Sequence, residues 1–259
     1  MTPAAGGSAL PGVAVRAGLG GAALWLVLEF TTRYTLLLGS GGFLLATGGV
    51  LAADLRGPLG LILNAAAAGA AMVLVGTVFY RRSVKEGARA VDLGYEFTWR
   101  ALLAGVVGGV VLMGLLEGTH GIDELVFSRW DLLRALQPTE EEELRIAGQA
   151  VVALGLVLIP ANGILTPIVE EFAWRGYIQS RLVAGWGAGA GILVTEVCFA
   201  AKHMIIDLSI GRTSTLIIGS LVLGLVRHRW GTGASTMTHL ALNLVSSLRY
   251  LLAAAATVS

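Results

Sequence analysis

Two adjacent carboxylates, Glu170 and Glu171, open the run Pro167-Ile-Val-Glu-Glu-Phe-Ala-Trp-Arg-Gly-Tyr177. Helical geometry gives them different neighbours. Glu171 and Arg175 are four residues apart, so they share a face and can pair. Glu170 points about 100° away and has no partner on its own helix. It shares a face with Trp174, and a buried carboxylate beside an indole suits proton exchange near neutral pH. A second run, Glu196-Val-Cys-Phe199-Ala-Ala-Lys202-His203, places Phe199 and His203 on one side of a helix, with Glu196 seven residues before His203. A histidine deep in an apolar run can orient, protonate or coordinate. A third run, Thr238-His239-Leu-Ala-Leu-Asn243, puts His239 and Asn243 on one face, where such a pair can donate hydrogen bonds to a developing oxyanion. Each run taken alone also has a plain structural reading. These are an ion-paired helix end, a histidine at the membrane edge bonded to a carbonyl, and interhelical glue.

The elements that must position these residues follow from composition. Of 259 residues 55% are hydrophobic and only 14% charged, with 36 glycines and a mean hydropathy of +0.77. Soluble domains carry roughly 25% charged residues. A disordered chain, a nucleic-acid binder and an ordinary water-soluble enzyme are therefore excluded, and the net charge of +1 points to no polyanionic partner. The lone cysteine, Cys198, cannot form an internal disulfide. The first fifteen residues carry no basic residue and do not read as a secretory n-region.

The fold expected is all-α, a polytopic membrane helical bundle of eight or nine spans, because open strands leave backbone groups unsatisfied in lipid. The apolar runs are 13–30, 34–53, 58–80, 101–116, 147–165, 167–182, 187–206, 213–226 and 234–255. The charged run 167–182 reads as a shorter or tilted segment, and eight spans result if the Pro160–Pro167 region bends without a full crossing. No repeat is visible, so 1–259 reads as a single integral membrane domain. Residues 1–146 supply hydrophobic spans and loops, and 147–255 form the motif-bearing core. Inside its spans the first part holds almost no ionisable residue apart from Glu29. Intramembrane ionisable groups are costly, which places function in the second part.

Two polar intervals separate the spans. Arg81–Arg100 holds five basic and three acidic residues and should be cytoplasmic. Glu117–Ile146 holds eight acidic and three basic residues, and Thr139 with Glu142 forms a capping-box pattern for the following helix. Arg181 and the Arg227-His228-Arg229 cluster mark one membrane face. At about 1.5 Å per residue, Glu170 lies roughly 16 Å from Arg181, His239 and Asn243 roughly 15–21 Å beyond Arg229, and His203 roughly 24 Å beyond a turn at Gly187. Three helices can thus bring four costly polar groups together well below that face.

In this order the three runs resemble the CPBP family of intramembrane proteases, which joins CAAX prenyl endopeptidases to bacteriocin-processing and immunity proteins. The family pattern EExxxR, FxxxH and HxxxN is matched by Glu170-Glu171-Phe-Ala-Trp-Arg175, Phe199-Ala-Ala-Lys-His203 and His239-Leu-Ala-Leu-Asn243. Arg175-Gly176 and the stretch Gly231-Thr-Gly-Ala-Ser235 are also similar to the family, and the resemblance covers about 147–250. It departs at Trp174, where Phe is frequent, and at Lys202, which adds a charge beside His203.

The resemblance implies intramembrane proteolysis near a membrane-anchored terminus, with Glu170 activating water, His203 positioning it, and His239 and Asn243 stabilising the oxyanion. Glu171, Arg175, Trp174 and Phe199 would support the site. No cofactor is favoured. Glu170, His203 and His239 are also ligand types that zinc accepts, but Asn is a poor zinc ligand and HExxH is absent. The implied partners are the lipid bilayer and a membrane-anchored substrate: a prenylated tail, a leader peptide or a sorting signal. The implied location is a bacterial or archaeal inner (plasma) membrane. Two other readings stand beside this one. A catalytically silent immunity or scaffold protein would keep the fold, and a proton-coupled transporter would use the same Glu and His as a relay, though no inverted repeat is visible.

Overall fold

The chain was studied as a computed structural model that describes residues 11–50, 54–96, 98–127, 140–207 and 210–258. Among these residues all regular structure is helical: α1 (Pro11–Ala46), α2 (Pro58–Lys85), α3 (Trp99–Phe127), α4 (Glu140–Gly148), α5 (Val151–Leu158), α6 (Thr166–Glu170), α7 (Ser180–Ile206), α8 (Thr213–Trp230) and α9 (Thr232–Ala256). π-helical turns over Ile159–Leu165 and Glu171–Gln179 join α5, α6 and α7 without a break.

Six candidate membrane spans result: Gly12–Ala46, Pro58–Lys85, Trp99–Leu125, Val151–Ile206, Ile210–Trp230 and Thr232–Ala256. The nine apolar runs give six because 13–30 and 34–53 share one helix, and 147–165, 167–182 and 187–206 share the span Val151–Ile206. The polar residues between 30 and 34 do not interrupt α1. Thr31 Oγ1 bonds back to Val27 O at 2.5 Å, a local bond that fits helical geometry. Pro160 and Pro167 do not stop the second helix either. A proline removes one backbone donor, and the helix widens into π turns around them rather than ending. Thr166 Oγ1 reaches five residues back to Ala161 O at 2.9 Å within that widened turn. The expected capping box is only partly observable: α4 opens at Glu140, and Thr139 lies outside the described residues.

The 56-residue span Val151–Ile206 contains one reversal. Gly187 takes φ 79° and ψ 169°, a conformation costly for residues with a Cβ, and α7 breaks there. Arg181 therefore comes to the same end of the bundle as the end of α2. Arg181 and Arg82 both pair with Glu86, and Tyr177 Oη donates to Glu86 Oε1 at 2.5 Å. Arg227 near the end of α8 bonds Ser180 at this same basic end. The opposite end gathers Arg33 with Asp207, Tyr34 Oη on Ile206 O at 2.7 Å, and Tyr250 Oη on Glu143 Oε1 at 3.1 Å.

Lipid offers no hydrophobic drive between helices, so close packing must hold them. The largest cluster does this with aromatic rings. Trp25, Phe79, Trp174, Tyr177 and Phe199 are buried together, with centroid separations of 5.4–5.9 Å between neighbours.

Candidate active site

α6 and the π turn after it carry Glu170, Glu171, Trp174 and Arg175, all of them 1% exposed or less. The pairing expected from spacing is present. Arg175 Nη1 lies 3.2 Å from Glu171 Oε1. Arg175 also takes a partner from another helix, Glu196 Oε2 at 2.7 Å, and its guanidinium lies 4.0 Å over the Phe199 ring. Gly224 on α8 lets Glu196 fit there, since a Cβ at that position would collide with the carboxylate. His239 completes the group, with Nδ1 2.9 Å from Glu171 Oε1.

Glu170 faces the other way, as its helical position requires. Trp174, however, does not form its environment. That indole packs edge-on against Trp25 and Phe199. Glu170 Oε1 instead accepts from the Lys202 ammonium. Its Oε2 has no hydrogen-bond partner and lies 3.8 Å from His239 Nε2. A polar separation of that size is one a water can serve from the side. Phe199 sets the two histidines around the acid, its centroid 5.0 Å from the His203 ring and 6.3 Å from that of His239. His203 Nδ1 is 2.7 Å from Asp207 Oδ2, and Asp207 is in turn paired with Arg33.

Glu170, Lys202, His203 and Asp207 line one cavity of about 520 Å³. Its remaining polar wall includes Arg33, Asn64, Asn162 and Tyr250, and its apolar wall Leu61, Ala65, Leu154 and Leu158. On every helix these residues lie from the level of Glu170 toward the end opposite Arg181. The aromatic cluster closes the basic side.

Residues 151–245 match the family model described as Rce1-like, type II CAAX prenyl endopeptidase. This segment is similar to that family. No curated protein and no solved structure matches the chain.

All three motif runs fall within the matched segment, and the structure gathers Glu170, His203 and His239 around Phe199. It does not bring Asn243 to the same place. Asn243 Nδ2 donates to Asn162 O at 3.0 Å, so its amide serves the first π turn, and Asn162 rather than Asn243 lines the cavity. Glu196, expected on the side of His203, serves Arg175.

Among the described residues no three His, Cys, Asp or Glu side chains form a metal-holding group. The Lys202 ammonium stands against Glu170 Oε1, while the carboxylates on His203 Nδ1 and His239 Nδ1 leave both Nε2 atoms open, an arrangement also usual for metal-ligating histidines.

Sequence reasoning placed Lys202 beside His203 but missed its pairing with Glu170 and Glu29, and it missed Asp207 as a neighbour of the site. A signal existed for one pair. Glu29 and Lys202 are opposite charges, each isolated in an apolar span, and such residues pair more readily than they stand alone.

Proposed function

We propose that the chain is an intramembrane endopeptidase of the metal-free glutamate type, hydrolysing a peptide bond near a membrane-anchored terminus. The observation that carries this reading is Glu170: a buried carboxylate on a cavity wall, one oxygen held and the other without a partner beside an imidazole nitrogen. Water bound there donates one proton toward Glu170 Oε2 and is oriented by His239 Nε2. Glu170 takes the proton as the water oxygen attacks the peptide carbonyl. His203, anchored by Asp207 through Nδ1, offers its other ring nitrogen from the cavity wall to the oxyanion. Glu170 then returns the proton to the departing amide nitrogen as the C–N bond breaks, giving a carboxylic acid and an amine. The two histidines so exchange the roles expected from the family pattern, because His239 is the one beside the free oxygen. Asn243 acts through the π turn at Asn162.

The protein resides in a plasma membrane with its basic end in the cytoplasm. The Arg81–Arg100 interval with Arg181, Arg227 and Arg229 gathers eight of the 18 Lys and Arg residues at that end. The cavity opens toward the other end, so the substrate arrives from the non-cytoplasmic side. That favours a leader peptide or an exported sorting signal over a cytoplasmic prenylated tail.

Two experiments test the reading. Glu170→Gln should retain a bound substrate and not cut it; cleavage at the parent rate would end the assignment. For the orientation, single cysteines are placed in a Cys198→Ser chain at Ser246, on the cavity wall, and at Ala90, at the basic end, both exposed. An impermeant maleimide should label Ser246→Cys in intact cells and Ala90→Cys only after permeabilisation, and the reverse pattern would turn the protein over.

A further inference from the structure

The N-terminal half reaches the Lys202 ammonium through Glu29. Glu29 on α1 is 3% exposed, and its Oε2 accepts from Trp25 Nε1 at 2.5 Å. The same oxygen lies 3.4 Å from Lys202 Nζ. Lys202 is itself 2% exposed and also pairs with Glu170 Oε1. One ammonium therefore stands between two carboxylates from different halves of the chain, and all three residues line the cavity. The rings of Trp25 and Phe199, 5.6 and 5.3 Å from Nζ, confine it further.

We infer that Lys202 and Glu29 form a positioning pair for Glu170, with Lys202 capturing Oε1 so that Oε2 is the oxygen presented to water and to His239. This rests on the proteolytic reading above. A glutamate side chain has three rotatable bonds and a nearly two-fold terminal torsion, so burial alone does not select which oxygen faces the cavity. A fixed cation at one oxygen does. Lys202 in turn has a long flexible stem, and a single carboxylate would leave it free to follow Glu170. Glu29 removes that freedom. It pulls the ammonium from α1, while the Trp25 indole holds the Glu29 carboxylate from one turn away. The other charged or titratable groups facing this cluster are His203 on α7, His239 on α9, Asp207 after α7, and Arg33 on α1. His203 and Arg33 are both engaged with Asp207, and His239 with Glu171, so Lys202 is the cation hydrogen-bonded to Glu170.

The geometry also assigns a purpose to the N-terminal helix. α1 supplies the second carboxylate within reach of the Lys202 ammonium, which couples the packing of α1 against α7 to the orientation of the reacting acid.

The test is steady-state cleavage by the full chain in lipid, once a substrate has been caught by Glu170→Gln. Lys202→Ala should lose kcat by about 10²-fold or more with KM nearly unchanged, the pattern for a group that acts on the chemical step. Methylammonium added to Lys202→Ala should restore part of the lost kcat by supplying the missing cation inside the cavity. It should do nothing for Glu170→Gln. Because Lys202→Ala leaves two carboxylates facing each other, the doubly substituted Glu29→Gln/Lys202→Met chain is measured beside it. That chain keeps the net charge of the trio, should remain folded, and should still be slow. Glu29→Gln alone should show a smaller loss of kcat. If Glu170→Gln is inactive while Lys202→Ala or the double variant keeps the parent kcat, the proteolytic reading stands and the positioning role is lost. If methylammonium has no effect on a folded Lys202→Ala, the role is likewise lost, since a merely structural lysine would give that result.

Discussion

Two groups of buried charges lie on either side of the Phe199 ring, and they differ in one respect that matters. On the basic side, Glu171, Arg175, Glu196 and His239 Nδ1 form a closed cluster over Phe199. On the other side, Glu170, Lys202, Glu29 and His203 form a cluster of similar residue types. Carboxylate oxygens without partners occur in both: Glu171 Oε2 and Glu196 Oε1 in the first, Glu170 Oε2 in the second. Neither Glu171 nor Glu196 lines the cavity, and Glu170 does. A buried acid needs a reacting water to do chemistry, so access separates structural charges from reactive ones. Adjacent residues in the sequence thus fall into different roles, because successive helical positions face about 100° apart.

Four measurements sharpen or break this contrast. The largest effect is expected at Glu170. Glu170→Gln should lower cleavage by about 10²–10⁴-fold, the range for loss of a general base, with little change in thermal unfolding. An equal loss of stability and activity there would erase the difference between the two clusters. Next comes Arg175→Met, which leaves Glu171 and Glu196 buried without their cation. Unfolding in lipid should be easier by about 3–5 kcal/mol, the cost of breaking a buried ion pair from one side.

A smaller effect is expected at the cavity mouth. Burial raises the pKa of Asp207, but the hydrogen bond from His203 and the charges of His203, Lys202 and Arg33 outweigh it and hold the carboxyl well below the usual range. A depressed folded-state value stabilises the protein above the unfolded value and loses that contribution as pH falls. Thermal stability should therefore drop as pH falls below about 4, and Asp207→Asn should remove about 2 kcal/mol at neutral pH together with that acid dependence.

The smallest effect is at Glu86 on the basic end. Burial raises its pKa too, yet Tyr177, Arg181 and Arg82 bring it below the ordinary value. Its side chain is 37% exposed, so Glu86→Gln should cost under about 1 kcal/mol, with the same sign against pH. A loss at Glu86 larger than at Asp207 would show that the basic end is the more tightly held of the two.

Composition and periodicity alone determined that the described residues are helical with membrane-length spans, that the three motif runs lie between 147 and 255, and that Glu171 pairs with Arg175. These are local properties: an apolar span must satisfy its own backbone, and residues four apart on a helix meet wherever that helix is placed. Tertiary structure decided the rest. It joined runs that look separate on either side of Thr31 and of Pro167, since hydroxyl back-bonds and π turns carry a helix through residues that would otherwise end it. It gave Glu196 to Arg175, Lys202 and Glu29 to Glu170, and Asn243 to a backbone carbonyl. Contacts between helices depend on the rotation and axial shift of one helix against another, and helical period leaves both undetermined until the side chains pack.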